Sequence, residues 1–242
     1  MDILDEMDKE LRDNIILMAP TGSHAYGINM EQSDEDYKGV CIPPIEYYIG
    51  LDTFKEYNGT TNKEGKNTKE DVDVSVLSIN NFVMHCMKGT PNVLEMLFLE
   101  DDQYILMTDL GKELRRNRDL FLTKNLRNSF GGYAKGQSKR MIYSEDKKGL
   151  GYNTKMFAHS VRLYECVIEI LREGTFSTYR NNGEYLKELR KGCMSLYEAK
   201  EKLKDLEDQV DREYDLTSLP KKVDYKQVNN LLQELNRKGL GI

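Results

Sequence analysis

Apolar and polar positions along the first half of the chain follow two periods, one of strands and one of helices. Ile15-Ile16-Leu17-Met18-Ala19 is a short apolar run, β-branched at its start, and predicts a buried strand. Residues 4–13 before it suit a short acidic helix, and Thr21-Gly22-Ser23 breaks the strand behind it. A second strand is predicted over 36–42, stopped by Pro43-Pro44. In Asp71-Val72-Asp73-Val74-Ser75-Val76 the valines take one face and the polar residues the other, which predicts a third strand. Residues 56–70, EYNGTTNKEGKNTKE, have almost nothing to bury and read as a mobile connection.

Helical signals follow. Ser78 suits the N-cap of a helix running through Lys88, with Gly89 as its stop. Thr90-Pro91 then restarts a helix that reaches about Phe98. From about residue 119 the spacing is mostly helical, as in Phe157, Val161, Tyr164, Ile168 and Leu171. Gly174, Gly183 and Gly192 punctuate this half, and Pro220 marks a loop before a last helix near 224–237. The pattern predicts a mixed α/β or α+β part followed by a helical one, with a boundary near 110–130.

A length of 242 residues allows one ample domain or two small ones. Hydrophobic residues make up 39% and charged residues 31%, a composition of soluble globular chains. No run approaches the roughly 18 apolar residues of a membrane span. The start, MDILDEMDKELRD, lacks the basic and apolar segments of a signal peptide. Cys41, Cys86, Cys166 and Cys193 stand far apart, in neither a disulfide framework nor a zinc spacing. A reduced, cytoplasmic protein is the expectation, outside any membrane.

Charge is unevenly spread. The chain carries a formal −6, but residues 1–73 hold 17 acidic against 7 basic side chains, and residues 112–148 hold 11 basic against 4 acidic. An acidic first third beside a basic middle suits a metal site next to an anion-binding surface. Solvated lysines on helix surfaces give the same count.

The densest chemistry lies in Gly22-Ser23-His24-Ala25-Tyr26-Gly27 and Ser33-Asp34-Glu35-Asp36-Tyr37-Lys38-Gly39-Val40. In an extended backbone Asp34 and Asp36 project to one face, where two carboxylates repel unless something positive lies between them. Mg²⁺, held by one or two carboxylates and phosphate oxygens, is the usual answer. Asp73 on the third strand adds a carboxylate from alongside, with Asp71 on the same strand face as its rival. Gly22 permits close approach of a ligand to the backbone, and Ser23 offers a hydroxyl to phosphate. Read locally, Asp34-Glu35-Asp36 suits a solvated acidic turn as well as a metal site.

Together these pieces resemble the nucleotidyltransferase superfamily of DNA polymerase beta. The longer match is similar to predicted bacterial and phage nucleotidyltransferases that include the RNA-ligase-associated, RNA-repair group. It continues through Phe82 to Phe98, with Lys88-Gly89-Thr90-Pro91-Asn92 and Leu94-Glu95, and through Tyr133, Lys135-Gly136-Gln137, Lys155, His159 and Arg162. The resemblance implies an α+β fold. A small mixed sheet with flanking helices, residues 1–118, would carry catalysis, and a mostly helical domain, residues 119–242, would hold nucleotide and acceptor. It implies that Asp34, Asp36 and Asp73 ligate two Mg²⁺ ions, or Mn²⁺, with Asp73 also activating the acceptor hydroxyl. An NTP such as ATP would give up its NMP and release pyrophosphate.

Other residues have two readings each. Lys155, His159 and Arg162 share one helix face and suit triphosphate binding beside Gly22, Ser23 and His24, or an exposed basic face with a partly buried histidine. His24 suits phosphate contact or a bond to the backbone. His85 reads as structural, as does Glu95. Tyr26 and Tyr37 suit stacking on a base or plain packing. Lys135, Lys139 and Arg140, with Tyr133 and Tyr143 nearby, make the segment 112–148 a candidate path for an RNA acceptor. A small molecule or a protein is the alternative acceptor, and a non-catalytic, antitoxin-like nucleotide or partner binder is the alternative class.

Overall fold

The computed structural model describes residues 4–31, 33–61, 71–146 and 148–242. It is an α+β fold, as expected. Five strands form one mixed sheet: β1 (Ile15–Pro20), β2 (Glu35–Cys41), β3 (Glu56–Thr60), β4 (Val72–Ser78) and β5 (Leu106–Met107), in the order β3-β4-β2-β1-β5. Neighbours are antiparallel except β2 and β4, which run parallel with Asp36 opposite Asp73 and Lys38 opposite Ser75.

The helices of the first half are short: α1 (Lys9–Asp13), α2 (Gly22–Ala25), α3 (Glu46–Ile49), α4 (Ile79–Lys88), α5 (Pro91–Leu94) and α6 (Asp109–Arg116). Those of the second half are long, α9 apart: α7 (Leu126–Tyr143), α8 (Thr154–Glu173), α9 (Gly183–Lys191), α10 (Leu196–Leu216) and α11 (Tyr225–Leu240). Local chemistry explains the ends. Ser78 accepts from Asn81 N–H to start α4, and Gly89, at φ 68°, stops it. Pro91 opens α5, which tightens into a 3-10 turn over Glu95–Phe98.

Two expectations need correction. Residues 56–60 are no loose connection but the edge strand β3, with Tyr57 opposite Val76 and Asn58 opposite Ser75. Pairing with β4 supplies the order that its composition withholds. The rest of that stretch, 62–70, lies outside the described residues. The first helix is shorter than 4–13, because the Asp8 carboxylate captures the N–H groups of Glu10 and Leu11 and fixes the start at Lys9.

Alternation along the strands divides the sheet between two cores. Val40 and Leu77 face the larger one, a single cluster of buried side chains that runs from Ile16 to Leu235 and includes Phe157, Val161 and Leu186 from the long helices. Cys41, Val74 and Val76 face a smaller one with Leu4, Met7 and Leu11. Asp36 and Lys38 share the Val40 face, and Asp73 and Ser75 share the Leu77 face. The acids therefore point to the side of the sheet that the long helices cover. Among the described residues no helix is long and apolar enough to cross a membrane.

Candidate active site

The site begins where β1 ends. Thr21 N–H donates to Asp36 C=O at 2.8 Å, which pins the following turn against β2. Gly22 takes φ 63°, and a Cβ there would lie 2.9 Å from Asp36 Oδ2. The turn closes with Tyr26 N–H donating to Gly22 C=O and Ile28 N–H to Ser23 C=O. Gln103 Nε2 donates to Ala25 C=O at 3.1 Å and braces it from outside.

Two clefts open on this turn. The first, about 390 Å³, is lined by Gly22, Ser23, Asp34, Asp36, Lys155 and His159, with Gln137 and Arg190 completing the wall. The second, about 480 Å³, is lined by Asp36, Lys38, Asn58, Thr60, Asp73 and Ser75. Gly22, Tyr26 and Asp36 belong to both. Asp36 is thus the shared wall between a cleft with cations on its helical side and a cleft floored by the sheet.

The electrostatics agree with crowded acids. Burial holds the Asp36 carboxyl above its ordinary 3.8, and the charges of Asp34 and Asp73 push it further, against Lys155 and His24. Asp73, not Asp71, stands opposite Asp36 in the strand register and lines the second cleft. Among the described residues no group of three or more His, Cys, Asp and Glu side chains is placed to hold a metal ion. The donor set nonetheless has the hard-oxygen chemistry of a Mg²⁺ site that phosphate oxygens complete. His24 Nε2 is buried without a hydrogen-bond partner among the described residues, at the foot of the same turn.

The three residues of the basic helix stripe part company. Lys155 is exposed at the first cleft. His159 lies deeper in it, its imidazole pushed down to about 3 by burial and then by the charges of Arg162 and Lys155. Arg162 does not reach the cleft. It is fully buried, donating to Glu95 Oε1 at 2.5 Å, with its guanidinium carbon 3.6 Å from the centre of the Tyr26 ring. Tyr26 itself donates to Glu95 Oε2 at 2.9 Å. Arg162, Glu95 and Tyr26 therefore form a charged, hydrogen-bonded brace behind the Gly22 turn. Tyr37 donates to Glu35 on the strand's outer face, and His85 Nδ1 meets Thr90 Oγ1 at 3.1 Å.

Two cleft residues carry no signal that reveals them in the sequence. Arg190 sits in Glu188-Leu189-Arg190-Lys191-Gly192, where a cation reads as complementing the end of a helix. It folds back to donate to Ile28 C=O at 2.8 Å, and burial lowers its pKa against the pull of Asp34. Lys38 sits inside the acidic motif and reads there as a neighbour of the acids.

The basic segment 112–148 is partly neutralised within the fold. Lys135 pairs with Glu207 at 2.7 Å and Arg127 with Asp211 at 2.6 Å, both acids on α10, while Arg115 pairs with Asp101. Lys139 and Arg140 stay exposed, as do Tyr133 and Tyr143. Lys147 lies outside the described residues.

The chain is similar to known proteins. Residues 1–234 match the model of the RNA repair pathway DNA polymerase beta family, RlaP. An uncharacterized 38.9 kDa protein from the nrdC-mobD intergenic region of Enterobacteria phage T4 is 31% identical over 123 residues, which is 49% of this chain and 36% of the phage protein. The match thus spans about a third of that relative's length. With nearly the whole chain matched, the protein belongs to the RNA repair pathway DNA polymerase beta family.

Proposed function

We propose that the protein is a Mg²⁺-dependent nucleotidyltransferase that moves an NMP from an NTP to a hydroxyl, most plainly the end of an RNA. The observation that carries this reading is the meeting of two clefts at Asp36, one rich in cations and one floored by Asp73. The family's name supplies the RNA part of the reading, and the exposed Lys139 and Arg140 suit such an acceptor.

In this reading the first cleft takes the NTP. Ser23 and the backbone of the Gly22 turn hold phosphate oxygens, and Lys155 and Arg190 balance their charge from the helical wall. His159 is neutral there and serves as a hydrogen-bond partner. Asp34 and Asp36, with the triphosphate, are the residues that would hold Mg²⁺, whose charge eases the build-up of negative charge on the phosphates. Asp73 takes the proton of the acceptor hydroxyl in the second cleft. A new bond then forms from that oxygen to the α-phosphorus, the α–β bridging bond breaks, and pyrophosphate leaves. Arg162 and Glu95 position the turn without touching the nucleotide.

Incubation with each α-labelled NTP, Mg²⁺ or Mn²⁺ and a pool of cellular RNA tests the reading, with Asp34→Ala/Asp36→Ala as control. Label on RNA from the wild type alone is expected. Label that stays in free NTP, with nucleotide still bound, would instead favour another acceptor or a binding protein without turnover.

A further inference from the structure

Two rungs of side chains cross the catalytic face of the sheet. The outer rung is Asp36, Asp73 and Thr60; the inner rung, two residues along each strand, is Lys38, Ser75 and Asn58. Strand geometry separates the rungs by roughly 6–7 Å. Both line the second cleft, so a group joined to a hydroxyl at Asp73 lies one rung from Lys38.

Lys38 is half-buried, and its ammonium donates to the neutral Ser75 Oγ at 3.1 Å. Among the described residues no carboxylate lies within ion-pair distance of it, and the charges of Glu56 and Asp36 reach it only from further off. Two other buried cations take a carboxylate: Arg162 takes Glu95, and Arg180 takes Glu169 at 2.7 Å. Arg190, like Lys38, lines a cleft and donates to a neutral oxygen, Ile28 C=O. An ammonium has three donors, and a partly desolvated one without a counter-ion is costly unless an anion completes it. A purely structural lysine holding Ser75 would explain the one hydrogen bond but not a charge turned into a cleft.

We infer that Lys38 binds an anionic group carried next to the attacking hydroxyl, so that the acceptor is a phosphate ester and not a neutral polyol. The inference rests on the second cleft being the acceptor site of the proposed nucleotidyltransferase. Its chemistry fits two sources, the last phosphodiester of a polynucleotide end or the phosphate of a small sugar phosphate.

Calorimetric titration of the full chain separates these. The probes are adenylyl-adenosine, which has one phosphodiester, adenosine, which has none, ribose 5-phosphate and Mg·ATP. Lys38→Met keeps the aliphatic stem and removes the charge, and Lys38→Arg restores a charge. Lys38→Met is expected to weaken adenylyl-adenosine about tenfold, the scale of one charged hydrogen bond. Lys38→Arg should recover most of that loss, while adenosine and Mg·ATP stay unchanged. A charge-dependent response to ribose 5-phosphate alone supports the anion site and assigns it to a small molecule. Equal losses for adenosine and adenylyl-adenosine, no loss at all, or no binding of either phosphate ester to the wild type overturns the inference. Failure of the wild type to bind Mg·ATP counts instead against the nucleotidyltransferase reading, because that probe belongs to the first cleft.

Discussion

At Gly22 the backbone lies in the left-handed region, and a methyl group would press on the Asp36 carboxylate. Gly22→Ala is expected to cost about 1–2 kcal/mol in backbone strain and to displace Asp36. Thermal melting and ATP titration check it: a folded variant that has lost nucleotide binding is the expected result. The buried pair Arg162–Glu95 makes a different prediction. Arg162→Met leaves a carboxylate uncompensated and should destabilise by about 3–5 kcal/mol, whereas Arg162→Met/Glu95→Leu should regain much of it. Urea unfolding of both variants measures the difference. His159 sets a pH dependence. Its folded value, about 3, lies below the ordinary 6.5, so the unfolded chain takes up the proton first. The stability tied to neutral His159 is full above about 6.5 and is lost as pH falls toward 3. Arg162 and Lys155 are the charges that face it. Unfolding at pH 7 and pH 5 should show this fall in the wild type and less of it in His159→Gln; equal falls would count against it.

Elements differ in how openly the sequence announces them. α4 is legible because Ser78, an amphipathic run and Gly89 all point to the same helix, and β4 because its valines alternate. β3 is not legible: Glu56-Tyr57-Asn58-Gly59-Thr60 has no apolar pattern, and only its partner β4 makes it a strand. The pair Asp34 and Asp36 is legible from its spacing, but Asp71 and Asp73 share a strand face, and only the pairing of β2 with β4 sets Asp73 opposite Asp36. Arg190 and Lys38 are not legible, because their role comes from where α9 and the inner rung fall in space. Arg162 looked like Lys155 and His159 on a helical wheel, yet one further turn carries it past the cleft into the core. α7 offers a prediction of its own. Gly132 and Gly136 lie inside the helix, and a Cβ at either would meet nothing within 4 Å. Gly132→Ala and Gly136→Ala should each stabilise by about 0.5–1 kcal/mol in urea unfolding; a loss of stability would mean that this face needs its bare backbone.

At the scale of the molecule, one buried cluster joins the sheet to the long helices. The first cleft lies along that junction, with Asp34 and Asp36 from the sheet side and Lys155, His159 and Arg190 from the helices. A shared core of this kind is expected to unfold as one cooperative unit. Fluorescence of the tyrosines and far-ultraviolet dichroism should give coincident urea transitions; two separated transitions would show that the halves hold themselves up independently. The parallel pairing of β2 with β4 has a consequence for assembly. Sliding β4 by one residue would turn Asp73 toward Met7 and Leu11 and bring Val74 to the polar side, so a one-residue slip buries a charge in oil. The apolar packing thereby acts as a proofreader, rejecting one-residue slips of the carboxylates as the sheet assembles.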